Sequence, residues 1–444
     1  MPDKSIKKYL DYLEKIITGR LKAHFASGAP FNTGSIPLPV ADNDRSPLEA
    51  FISSHRLDTH EIILLLSALV PHIDPVFFDD LIQKNIPGQG DFPQFGGTRG
   101  KNHRGFLPTA ETVLFILAGN NLELRFNCGE LFSQKHRFAE LNVIYVEEPV
   151  PGEPQYSGKL IMSAEYIELF TTGKVSHPRF SMDFPAEFIT TELRREDLVL
   201  PAPTLKQISE IENWINHHDE LMNRLNMKRW VKPGYRALFH GPPGTGKTLT
   251  ALIIGKKTNR DVFRIDLSMV VSKFIGETEK NLSQLFDRAK NKEWILFFDE
   301  ADALFGKRTN VRDAHDKYAN QEVSYLLQRI ENYNGLIILA SNFKSNIDEA
   351  FIRRFQSVIY FPLPPAAERF MLWKNTLPNH QGLKIPTDEE LLAIAKKYEI
   401  TGASIVNAVQ YCCLESLAGK TGEVTVDQIK AGIEREYQKE GKVF

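Results

Sequence analysis

Gly241-Pro242-Pro243-Gly244-Thr245-Gly246-Lys247-Thr248 stands between the apolar run Ala237-Leu238-Phe239 and the helix-forming stretch Leu249-Thr250-Ala251-Leu252-Ile253-Ile254. It satisfies G-x-x-x-x-G-K-[ST] at every fixed position, the pattern of a loop that cradles phosphates between a strand and a helix. Its glycines let the backbone curl so that successive N–H groups face phosphate oxygens. Lys247 directs a cation at the β and γ phosphates, and Thr248 offers a hydroxyl to Mg²⁺. A plain Gly-Pro turn would not require a Lys-Thr pair on the first helical turn. The stretch predicts a nucleoside triphosphate site, with Leu249 beside it at the start of the helix.

Working outward, the wholly apolar strand Ile295-Leu296-Phe297-Phe298 ends in Asp299-Glu300. Paired acids at that point suit the loop chemically: Asp299 to hold the Mg²⁺ shell, Glu300 to polarise an attacking water. The next apolar strand, Leu336 to Ala340, ends in Ser341-Asn342, where an amide orients water without adding negative charge. Arg353 and Arg354 follow a short helical stretch, and a guanidinium bonds two phosphoryl oxygens at once. Strands also read over Arg236–His240, Val262–Leu267 and Val358–Phe361. With helices between them they imply an α/β fold built on a parallel sheet, its ligand at the C-terminal strand ends. Beyond Pro362, Pro364 and Pro365 only helices are suggested, the third of them with Val406, Val409, Cys413 and Leu417 on one face.

Gly241 to Thr248, Ile295 to Glu300, Asn342 and Arg353-Arg354 together resemble the Walker A, Walker B, sensor 1 and arginine-finger positions of the AAA ATPases. The resemblance covers roughly Asp197 to the C-terminus. It extends to Ser272-Lys273-Phe274-Ile275-Gly276-Glu277-Thr278-Glu279-Lys280, which looks like the family's pore loop, and to Lys307–Asp316, which corresponds to a second pore-facing loop. Thr401-Gly402-Ala403-Ser404 matches the lid's adenine-side turn, with Gly402 and Ala403 against the nucleotide and no sensor 2 arginine. The resemblance implies a P-loop NTPase core over residues 197–365, a helical lid over 366–444, and Mg²⁺-dependent hydrolysis of ATP. It further implies a homo-oligomeric ring, commonly a hexamer, with arginines donated in trans and Phe274 gripping a polypeptide client. The adjacent arginines leave open which one is the finger. A narrower similarity, to bacterial AAA proteins encoded with phage-tail-like contractile injection systems, would make components of such a particle partners in its assembly or loading.

The 444 residues, 42% hydrophobic and 25% charged, call for more than one core. Residues 1–55 read as a helix and a linker. Residues 56–190 read as three helices and a two-stranded ribbon, the element order of a winged-helix domain, which serves DNA and protein partners alike. A DNA-reading helix would use Gln134, Lys135, His136 and Arg137. The net charge of −2 offers nucleic acid no general attraction, so nucleic acid is not the expected partner. Three cysteines, Cys128, Cys412 and Cys413, make neither a disulfide framework nor a zinc spacing. The longest apolar run, Ile62 to Val70, is too short to span a membrane. The expectation is a cytoplasmic chain, either a mechanoenzyme, a nucleotide-gated scaffold or a DNA-acting ATPase.

Overall fold

The computed structural model describes residues 2–27, 31–40, 46–86, 92–181, 184–267, 277–290, 292–301, 314–342, 349–378 and 384–442. They form two compact units, residues 1–177 and 178–444.

In the first unit the helix Pro2–Lys22 buries Leu13, Ile16, Ile17 and Leu21 in the same core as Thr59–Leu69 and Ala110–Ala118. Residues 1–55 are thus part of this unit rather than a separate helix and linker. Thr59–Leu69 and Ala110–Ala118 are apolar nearly all round because the core encloses them, which accounts for the uninterrupted run from Ile62. Among the described residues no single helix is long and apolar enough to cross a membrane. Strands β1 (Thr98–Arg99) and β2 (Phe106–Leu107) pair antiparallel, as do β3 (Ile144–Val146) and β4 (Leu160–Met162). The expected ribbon therefore forms, but its second strand stops at Met162 and the chain continues as the helix Ala164–Thr172, closed by Gly173 in the left-handed region (φ 77°).

The helix expected to read DNA is a single turn, Arg137–Glu140. Two of the residues expected to read DNA, His136 and Arg137, are committed inside the unit, while Lys135 is exposed. Glu61 makes a capping box with Asp58 at the start of Thr59–Leu69, and its other oxygen takes His136 Nε2 at 3.2 Å and Arg137 Nε at 3.0 Å. Arg137 also donates to the His55 carbonyl. A buried carboxylate needs such partners, and they spend the charge that a phosphate backbone would require.

The second unit holds a six-stranded sheet. Its strands are β5 (Ala186–Ile189), β6 (Tyr235–His240), β7 (Val262–Ile265), β8 (Ile295–Phe298), β9 (Leu336–Ser341) and β10 (Ser357–Tyr360), in the order β10-β6-β9-β8-β7-β5. All neighbours are parallel except β5, which runs antiparallel to β7 along the edge. This edge strand lies in the stretch that the sequence pattern leaves within 56–190. Its four residues carry no helix-strand alternation to mark it.

Side chains alternate across the sheet. Leu296 and Phe298 face the layer formed by Glu277–Ala289 and Ala314–Asn332, whereas Ile295 and Phe297 face that of Ala202–Asp219 and Lys247–Thr258. Burial on both faces is why β8 reads as a continuous apolar run; each phenylalanine contributes about 2–3 kcal/mol by area burial.

Four helices complete the unit: Ala366–Thr376, Asp388–Lys397, Gly402–Gly419 and Val426–Lys439. Gly402–Gly419 buries Ile405, Ala408, Val409, Cys412 and Ser416, while Val406 is 50% and Leu417 75% exposed. The buried face is thus displaced by one residue from the expected Val406-Val409-Cys413-Leu417 stripe. Gly432 decides this, because a Cβ there would stand 3.1 Å from that of Ala408, so the neighbouring helix packs against the Ala408 side.

Candidate nucleotide site

The loop Gly241–Gly246 connects β6 to the helix Lys247–Thr258, and Gly241 N donates to the Ser341 carbonyl at 3.2 Å, fastening it to the end of β9. β9 lies between β6 and β8 in the sheet, so Asn342, Gly241 and Asp299 all leave the same edge. Sequence order cannot show this, since β9 follows β8 in the chain but lies next to β6 in space.

The glycines are structural requirements. Gly244 and Gly246 adopt φ of 73° and 95°, and a Cβ on Gly241 would meet the Phe361 carbonyl oxygen at 2.1 Å. A Cβ on Gly244 would press to 2.7 Å from Thr401 Oγ1, and Ala403 N donates to the Gly244 carbonyl at 3.2 Å. The turn Thr401–Ser404 is therefore seated directly on the phosphate loop. Thr401 caps the helix Gly402–Gly419 by accepting from Ser404 N.

Lys247 is only 7% exposed. Its Nζ donates to the Gly241 carbonyl at 2.7 Å, the Pro242 carbonyl at 3.0 Å and Asn342 Oδ1 at 3.1 Å. Thr245 Oγ1 closes the loop onto the Pro242 carbonyl at 2.8 Å. At the end of β8, Glu300 adopts φ 50°, a conformation costing a non-glycine residue about 1 kcal/mol or more. Glu300 N donates to Asp299 Oδ1 at 3.0 Å, and Ala301 N to the Ala340 carbonyl at 2.8 Å, so β9 holds the bend at the end of β8.

These elements enclose a cavity of about 680 Å³. Of the residues expected at the site, Pro243 through Leu249 line it, as do Asp299, Glu300, Asn342, Gly402 and Ala403. Gly241 and Pro242 do not line it and serve through their carbonyls. Arg353 and Arg354 do not line it either. Arg354 Nη1 pairs with Glu331 at 2.6 Å, while Arg353 is exposed and, among the described residues, makes no hydrogen bond or ion pair. Phe274 lies outside the described residues, as does most of 307–316.

The rest of the cavity lining was not legible in the sequence. It is made by the extended segment Leu198–Pro201, by Pro362 and Pro364, and by Glu368, Leu372 and Asn375 on the helix Ala366–Thr376. No motif marks them, and they meet only because the helical lid folds back over the strand ends. A glycine cradle with a buried lysine, in a cavity whose remaining lining is largely apolar, fits a nucleoside triphosphate. Thr248 and Asp299, which both line the cavity, are the residues that could hold Mg²⁺ on its phosphates.

Residues 237–363 match the family described as "ATPase family associated with various cellular activities (AAA)". Similar proteins include the AAA family ATPase y4kL of Sinorhizobium fredii, 33% identical over 44% of this chain and 57% of that one. The proteasome-activating nucleotidase of Methanocaldococcus jannaschii is 29% identical over 56% of this chain and 58% of that one. The chain thus spans a little over half the length of these relatives. Among solved structures, the FIGL-1 AAA domain is similar with a TM-score of 0.45 at 23% identity, covering 56% of this chain and 85% of that one.

Proposed function

From the match of residues 237–363 to the AAA ATPase family, we propose that the protein is an ATP-driven remodelling motor that works as a homo-oligomeric ring, a hexamer, on a polypeptide client. The observation that carries this reading is the division of the site. One chain supplies the phosphate loop, Lys247, Asp299, Glu300 and Asn342 to a single cavity, and leaves Arg353 outside it, exposed and unpaired among the described residues.

In this reading the loop amides and Lys247 bind the β and γ phosphates. Thr248 and Asp299 hold Mg²⁺, which neutralises charge on the phosphates. Glu300 takes a proton from the attacking water, and Asn342 orients that water from beside Lys247. Arg353 of one subunit completes the site of the next, and Arg354 keeps its place against Glu331. Phe274 grips the client. The name of the archaeal relative, which activates a proteasome, belongs with this reading of ATP turnover directed at a protein. Service to the assembly or cargo loading of a contractile injection system rests on the sequence resemblance, and a cytoplasmic location on the cysteine spacing and the short apolar runs.

The test is the mass of Glu300→Gln by light scattering with ATP and Mg²⁺. The expected result is six times the 50.5 kDa chain. A species that stays monomeric under saturating ATP would sink the ring and the shared site together.

A further inference from the structure

From Phe92 to Ala110 the chain carries Arg99, Lys101 and Arg104 and no aspartate or glutamate, although residues 1–177 as a whole hold more acids than lysines and arginines. The three cations belong to the β1–β2 hairpin: Arg99 lies in β1, and Lys101 and Arg104 lie in the connection, where Gly100 N donates to the His103 carbonyl at 3.0 Å. All three are exposed, and among the described residues none makes a hydrogen bond or an ion pair. In a unit that is net acidic, so local an excess of positive charge creates an attractive potential of its own.

The same hairpin borders a cavity of about 660 Å³ lined by Phe92, Phe95, Phe106 and Tyr156, with Arg99 beside them. Phe95 is buried and the other three rings are half-buried. The groove is held in shape by side chains of the unit, since Phe106 N donates to Asp79 Oδ2 at 2.8 Å and Gly97 N to Thr109 Oγ1 at 3.1 Å. Gly97, at φ 91°, lets the Phe106 ring lie against the backbone, where a Cβ would stand 2.1 Å from it. Two acids also line the cavity, and both are engaged: Asp79 by that backbone bond, Glu111 by Arg125 Nη2 at 2.7 and 2.6 Å to its two oxygens. The negative charges of the lining have partners and its positive charge has none.

We propose that this groove docks a short acidic segment of a partner protein, which lays an apolar or aromatic side chain among the rings and directs its carboxylates to Arg99, Lys101 and Arg104. The ring contacts supply burial and the guanidinium groups supply paired hydrogen bonds to carboxylate. Single-stranded nucleic acid also combines stacking with cations, but it needs a basic track along its length. Beyond the hairpin this unit is net acidic, which favours a short peptide over a polyanion. The site lies within the first unit and stands independently of the nucleotide cavity.

The test is fluorescence anisotropy of the full chain with labelled heptapeptides. A central tryptophan is flanked by glutamates, by glutamines or by lysines, a fourth peptide has alanine at the centre of the glutamates, and oligothymidylate is the fifth probe. The expected result is binding of the glutamate-tryptophan peptide at least 10-fold tighter than the other peptides, weakening as salt is added. Arg99→Glu weakens it by roughly 10-fold, and so does the double variant Lys101→Glu with Arg104→Glu, because an attraction becomes a repulsion. These exposed residues make no contacts to lose, so melting temperature and basal ATPase activity stay at the wild-type values. Tyr156→Ala narrows the advantage of tryptophan over alanine while keeping the preference for glutamate over lysine. Equal binding of the peptides, no binding up to about 1 mM, or an affinity unchanged in Arg99→Glu overturns the proposal. Tighter binding of oligothymidylate than of the acidic peptide also overturns it and assigns the hairpin to nucleic acid.

Discussion

Lys247 Nζ and Asn342 Oδ1 are 3.1 Å apart across the gap between the phosphate loop and the end of β9, joining residues 95 positions apart in the chain. The lysine of the loop and the amide of the neighbouring strand thus bear on one point, and two loop carbonyls complete the coordination of the ammonium. A phosphate group arriving there replaces neutral acceptors with charged ones, an exchange that charge-assisted hydrogen bonds favour.

Lys247→Ala therefore loses nucleotide affinity by about 100-fold or more, the worth of one or two charge-assisted hydrogen bonds. Titration with a fluorescent ATP analogue measures the loss. Affinity within a few-fold of the wild type would mean that phosphates bind elsewhere.

Glu300→Gln keeps the bend at the end of β8, because that bend is set by backbone bonds to Asp299 Oδ1 and to β9. ATP binding is retained and turnover falls by about 10²- to 10⁴-fold, the range for loss of a positioned base. Single-turnover hydrolysis with Mg²⁺ separates the two effects, and normal turnover would remove Glu300 from that role.

Arg353 and Arg354 separate experimentally. Arg354→Ala breaks a partly exposed ion pair with Glu331, which also pairs with Lys232 at 3.1 Å, and costs about 1 kcal/mol or less of stability. Arg353→Ala removes no contact among the described residues, so it leaves the melting temperature unchanged while lowering ring ATPase activity by about 10³-fold. Mixing Arg353→Ala with Lys247→Ala chains restores part of the activity, since each supplies what its neighbour lacks. Failure to complement would place the arginine's action within its own chain.

Burial pushes the Cys412 thiol up to about 12 and raises Cys128 and Cys413 as well. Thiolates are the reactive species, so at pH 8 Cys412 labels with a disulfide reagent on the order of 10³-fold more slowly in the native protein than in urea. The folded-state value lies above the unfolded value of 9.0. The neutral thiol's contribution to stability is therefore intact below pH 9 and is lost as pH rises toward 12. Thermal melts across that window fall less steeply in Cys412→Ala.

The sequence by itself determined the phosphate end of the site and the sheet beneath it. Gly241–Thr248, Asp299-Glu300 and Asn342 are chemistries with fixed residue types, and strands buried on both faces must read as apolar runs such as Ile295–Phe298. Local spacing cannot report what depends on partners distant in the chain. Only the tertiary structure placed β9 between β6 and β8, added the antiparallel edge strand Ala186–Ile189, and turned Val406 rather than Ile405 outward on its helix. The same holds for His136 and Arg137, whose charge is taken by Glu61, a partner more than seventy positions earlier. It holds again for the rest of the cavity lining, where Leu198–Pro201 and Glu368 join the loop residues without any motif to mark them. Motifs record what a ligand's reactive atoms demand; packing decides which remaining side chains surround the rest of it.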